Sequence, residues 1–137
     1  MAASQAIIPT QVIQEINNLG EPHRALVRDF VLNSVTANGG LLIPPVEVSE
    51  FGDVCFQIQG TWVGTLTFQG SFDATNWSNL IAQPVGSATG VTSCTGNGAW
   101  NLPLSMKFFQ VVATAWTSGT ATGYARFRVN GVIFRSV

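Results

Sequence analysis

From Val54 onward, apolar side chains recur at every second position. Val54, Phe56 and Ile58 alternate with Cys55, Gln57 and Gln59. Leu66, Phe68 and Phe72 alternate with Thr65, Thr67, Gln69 and Ser71, with Gly70 on the inner row. Phe109, Val111, Ala113 and Ala115 continue the pattern, as do Ala125, Phe127 and Val129. A period of two puts one row of side chains on each face of a strand. Asp73-Ala74-Thr75-Asn76 supplies turn chemistry, and Thr117-Ser118-Gly119-Thr120 reads as a hairpin loop. Val132-Ile133-Phe134 reads as a last strand. Seven or eight short β segments with Thr-rich outer rows predict an antiparallel β-sandwich or jelly roll. No strand–helix–strand rhythm appears, which excludes a doubly wound nucleotide-binding fold.

The first part of the chain has a different pattern. Val12, Ile13, Ile16 and Leu19 recur at helical spacing, with Thr10 as a cap and Gly20 and Pro22 as a stop. A second apolar piece, from Ala25 to Leu32, fits a helix and a strand equally well. Neither piece is long enough to be stable alone in water. Of the aromatic residues, only Phe30 precedes residue 51. The composition shifts between Asn38-Gly39-Gly40 and Pro44-Pro45, which reads as a linker. The expected organisation is an extended or short-helical arm and linker over 1–50, then a β-sandwich over 51–137. The arm apolars Ile7, Ile8, Val12, Ile13, Ile16 and Leu19 are the candidate partner-binding residues.

Charge sharpens this division. Only 9% of the 137 residues are Asp, Glu, Lys or Arg, against about 25% in ordinary soluble domains. Met1 to Asp53 is acidic on balance, Val54 to Met106 holds Asp73 alone, and Lys107 to Val137 is purely basic. Opposite charges at the two ends predict pairing, within the chain or between neighbouring chains. The formal net charge of −1 lacks the basic footprint of a nucleic-acid partner and the attraction for an anionic membrane surface. No secretory signal and no run of about 18 apolar residues is visible, so the expected place of synthesis is a cytosol. Cys55 and Cys94 have no metal-ligand spacing and are expected to be reduced and partly buried.

Candidate chemistry is sparse. His23 is the only histidine, beside Pro22 and Arg24 and with no nucleophile nearby in sequence. Paired carboxylates are lacking, because the β region offers Asp73 with Asp53 at its edge. Asp73 is expected to serve its own turn. Gly96-Asn97-Gly98 lacks the Lys of a phosphate-binding loop. The expectation is a protein that is not an enzyme, with no metal and no cofactor. The remaining signal is aromatic. Trp62, Trp77 and Trp100, with Arg126 and Arg128, are candidates for a subunit interface or a glycan contact.

Gly60-Thr61-Trp62-Val63-Gly64-Thr65-Leu66, continuing to Ser71-Phe72-Asp73-Ala74-Thr75-Asn76-Trp77, resembles a signature of small β-sandwich modules in tailed-bacteriophage virion proteins. Val111-Val112-Ala113-Thr114 to Ser118-Gly119-Thr120-Ala121-Thr122 resembles the later hairpin of the same module. The family pattern has Asp-Gly where this chain has Asp73-Ala74, and an Arg where it has Lys107. The resemblance implies a structural virion component, such as a capsid decoration (cement) protein or head-fibre protein. It implies a homo-oligomer, a trimer, whose arm grips the major capsid protein. The alternative it leaves open is a carbohydrate- or receptor-binding module of a head fibre, tail fibre, neck or baseplate.

Overall fold

The computed structural model describes residues 27–129 of the chain. The arm apolars from Ile7 to Leu19, His23 and the Val132–Phe134 segment lie outside the described residues. The fold is mainly β and antiparallel, with no helix among the described residues. Its strands are β1 (Val27–Val31), β2 (Leu41–Glu47), β3 (Phe51–Ser71), β4 (Ser78–Asn79), β5 (Gln83–Pro84), β6 (Ser93–Cys94), β7 (Gly98–Pro103) and β8 (Phe108–Val129).

Two strands dominate. β3 and β8 pair along their whole length, from Phe51 opposite Val129 to Ser71 opposite Phe108. The ribbon they form is folded in half. Phe56 and Phe68 both lie on β3, where a straight strand would hold them about 40 Å apart at ~3.3 Å per residue. Their ring centroids are 5.3 Å apart. Phe109 and Phe127 of β8 meet in the same way, at 6.4 Å. Each long strand therefore contributes to both layers of the sandwich. β1, β7 and β5 extend the layer that holds Phe56 and Phe127. β2, β4 and β6 extend the layer that holds Phe68 and Phe109.

The fold in the ribbon has local causes. The register shifts between Val63 and Gly64 and again between Thr65 and Leu66. Each shift leaves one extra residue on β8, and such bulges bend and twist a strand. Because there are two, the inner row keeps its parity: Phe109, Val111 and Ala113 face in before the fold, and Ala121, Ala125 and Phe127 after it. Gly60 has φ 118° and Gly119 has φ 92°, a region that side chains rarely adopt. A Cβ on either would collide with the backbone carbonyl of Thr120 or Thr61 across the ribbon.

The predicted sandwich is present, but several boundaries differ. Thr117–Thr120 is not a hairpin loop, because β8 runs through it as one strand. Phe72 is 66% exposed, since β3 ends at Ser71 and the inner row stops with it. The division at residue 50 also gives way. β1 and β2 pair with β8, and Val35, Leu42, Ile43 and Val48 belong to the buried core. The ambiguous apolar piece is a strand over Val27–Val31. Pro44 and Pro45, read as linker, lie within β2, where the register shifts between Ile43 and Val46. Proline is tolerated there because β2 pairs on one side only and bulges past the missing donors.

Candidate functional site

The ribbon fold carries an aromatic clamp. The indoles of Trp62 and Trp116 stack with centroids 5.2 Å apart and an interplanar angle of 1°. Both rings are half-buried. Trp62 Nε1–H donates to Asn97 Oδ1 at 2.7 Å, and Asn97 Nδ2–H donates to the Gly60 carbonyl at 2.8 Å. Trp116 Nε1–H donates to the Gly119 carbonyl at 3.2 Å. Both indole N–H groups are thus satisfied by the backbone or loop that makes the turn, and the stack adds contact area where the strands bend.

The other sequence candidates are dispersed. Trp100 is 6% exposed and stacks on Phe56 at 5.9 Å. It cannot serve as a ligand platform, because the alternating row Trp100 and Leu102 of β7 faces the core. Trp77 is half-buried beyond the end of β3, next to Ser78, which pairs with Gly70. That position is about 25 Å along the strand from Trp62. The indoles of Trp62, Trp77 and Trp100 therefore do not share one face.

Arg126 and Arg128 lie on one outward row. Arg126 donates through Nε and Nη2 to Asp29 at 2.7 and 2.8 Å. Arg128 donates in the same forked way to Asp53 at 2.8 and 2.7 Å. The acidic and basic blocks of the sequence therefore meet within one chain. The forked hydrogen bonds from Arg126 hold the Asp29 carboxyl below its usual range. Both pairs are about half exposed, so each is a modest contribution to stability.

The remaining titratable groups serve structure. Ser71 Oγ is fully buried and accepts the N–H groups of Asp73 and Ala74. Asp73 Oδ1 accepts from the N–H groups of Asn76 and Thr75, and Oδ2 from Asn76 Nδ2. These bonds hold the Asp73 carboxyl far below the usual carboxylate range. Ala74 takes φ 60°, the left-handed conformation that the Asp-Gly of the phage pattern would supply freely. Lys107, in place of the usual Arg, sits 5.5 Å over the Phe108 ring. Cys55 and Cys94 are free thiols. Burial pushes the Cys94 thiol up to about 12, which keeps it protonated and unreactive. Among the described residues no His, Cys, Asp and Glu side chains group as a metal site.

Sequence reading missed three contributors. Trp116 and Asn97 were not chosen because strand alternation and loop chemistry give no hint that they meet Trp62. The third is an apolar groove of about 290 Å³ between β1 and β2. Both of its walls come from segments read as arm and linker.

No family model matches the chain. A search of curated proteins also finds no match. Two crystal structures share the fold. One is the SPBc2 prophage-derived protein YomS, with a TM-score of 0.65 and 12% identity, over 77% of this chain and 95% of that one. The other is the PBSX exported protein XepA, with a TM-score of 0.66 and 18% identity, over 76% of this chain. This chain spans 38% of the length of XepA.

Proposed function

We propose that this protein is a non-enzymatic bacteriophage virion protein, a capsid decoration protein that grips the major capsid shell through its N-terminal arm. The observation that carries this reading is the fold it shares with a prophage-derived protein and a PBSX exported protein. The Gly60–Trp77 motif supports the same reading. So does the disposition of the acids: Asp29 and Asp53 are engaged by arginines and Asp73 by its own turn. In this role the sandwich sits on the shell as one subunit of a trimer. The arm apolars Ile7, Ile8, Val12, Ile13, Ile16 and Leu19 bury themselves at seams between capsid subunits. A stable contact of that kind buries roughly 1,200–2,000 Å² in total.

The structure moves the informative cut. Deleting to Gly40 would remove β1, so the arm ends at Leu26. Shells of the cognate major capsid protein should co-sediment with the full chain and not with residues 27–137. Circular dichroism should show the shortened chain still folded. Binding by both forms would overturn the arm as the clamp, and binding by neither would overturn decoration.

One observation favours a second reading, a glycan- or receptor-binding module: the half-exposed Trp62–Trp116 stack with Asn97 beside it. It predicts a shift of tryptophan fluorescence with a glycan that is abolished by Trp62→Ala. No shift across a broad glycan panel removes it.

A further inference from the structure

β1 and β2 are the outer strands of the two layers, and the apolar groove lies between them. Its floor is core, with Leu42, Ile43 and Phe127 all buried. Its rim is apolar and open: Phe30 is 47% exposed, Val31 is 78% exposed, and Val46 faces them from β2. One end is closed by Asn33, whose N–H reaches the Leu42 carbonyl at 3.2 Å. The other is closed by the turn in which Phe51 N–H donates to the Val48 carbonyl at 3.0 Å.

β8 ends at Val129, opposite Phe51, at that second end of the groove. The sequence continues Asn130-Gly131-Val132-Ile133-Phe134-Arg135. Asn-Gly is the strongest short signal for a tight reversal, and three large apolar residues follow it. A reversed tail has no edge of β8 to pair with. β1 occupies one edge through Val27–Val31 and β3 occupies the other from Phe51 onward. The remaining apolar surface within reach is the groove. Residues 132–135 in extended form span about 13 Å, against about 17 Å for the wall made by β1. Arg135 is the tail's one charge, and Glu47 places a carboxylate on the groove lining.

We infer that residues 131–135 seat in the groove of their own chain, with Val132, Ile133 and Phe134 covering the gap between β1 and β2. This does not rest on the virion reading. It assigns the apolar tail to the fold and leaves the N-terminal arm for an outside partner.

The test uses the full chain with Cys55→Ala and Cys94→Ala, carrying Val46→Cys and Ile133→Cys. Mild oxidation should give a disulfide within one chain, seen as a faster-migrating monomer at every protein concentration. Disulfide-linked dimers alone would assign the groove to a second copy and overturn the inference. Two thiols that alkylate but never join would overturn it as well. A single Val46→Cys reporter gives an independent reading. Its alkylation should quicken about tenfold when the chain is stopped after Val129, because the cover no longer has to open. An unchanged rate, or quickening only when residues 1–26 are removed, overturns the inference.

Discussion

The two halves of the folded ribbon use the same cross-strand geometry with opposite chemistry. In the half bearing Phe56 and Phe127, the outward row is ionic, with Arg126 on Asp29 and Arg128 on Asp53. In the half bearing Phe68 and Phe109, the row is neutral. Thr67 and Thr114 hydroxyls meet at 2.9 Å, Gln110 donates to Gln69, and Gln69 donates to Asn79. Cross-strand neighbours of either kind are worth a fraction of a kcal/mol each. The difference lies in what disturbs them. The ionic row weakens with salt and acid, and the neutral row with neither. It also explains the charge gap in the sequence. The neutral half draws its outward row from within the stretch that holds Asp73 alone and from the uncharged start of β8.

The largest effect is expected where the halves share a core. Phe56 touches Phe68, Trp100 and Phe109 across the sandwich. Phe56→Ala should cost about 3–5 kcal/mol in chemical unfolding, the usual range for emptying a buried Phe site. Both halves should still melt in one transition. Two separated transitions would show that the halves are independent and break the comparison.

A smaller effect is expected at the turn that ends the neutral half. Ala74 sits at φ 60°, where a side chain costs roughly 1–2 kcal/mol. Glycine relieves that strain but loses more chain entropy on folding. Ala74→Gly should therefore stabilise by about 0.5–1 kcal/mol, read as a rise in melting temperature. A fall in melting temperature would show that the left-handed turn is not what limits this site.

The smallest effect sharpens the contrast directly. Arg126→Gln should cost about 0.5 kcal/mol at low salt and close to nothing at high salt. Thr67→Val should cost a similar amount at any salt concentration. The sign with pH follows from Asp29, whose carboxyl Arg126 holds below its usual range. Its contribution is whole above the unfolded value of about 4 and is lost as pH falls through the lower folded value. Arg126→Gln should flatten that part of the acid limb. An unaltered limb would assign acid sensitivity elsewhere, with the Asp73 turn as the remaining source.

Much of this core was legible in the chain. Val54, Phe56, Ile58, Leu66, Phe68, Phe109, Val111, Ala113, Ala125 and Phe127 alternate as strand residues and are all buried. Alternation names a face, however, and does not say where a strand stops. Gly119 among threonines looks like a loop, and only the opposing Thr61 carbonyl explains why glycine is needed inside a strand. Pro44-Pro45 looks like a linker until a bulged outer strand accommodates it. The candidate site was less legible for the same reason. Trp116 and Asn97 gain meaning through Trp62, and the groove exists because two segments distant in sequence flank it. What could be read correctly was the chemistry of the ends: the acidic and basic blocks do meet, within one chain.

The length of the ribbon bears on how the protein reaches its native state. Its shortest rung joins Ser71 to Phe108 and its longest joins Phe51 to Val129. No rung forms without closing a loop that contains β4 through β7, and loop entropy opposes each closure before any contact compensates it. Refolding from denaturant should accordingly fall in the millisecond-to-second range typical of non-local β topologies. A nascent chain holds β3 without its partner until β8 has been synthesised. Its uncharged, β-prone strands are exposed for that interval, which makes synthesis and release the most aggregation-prone moment for this protein.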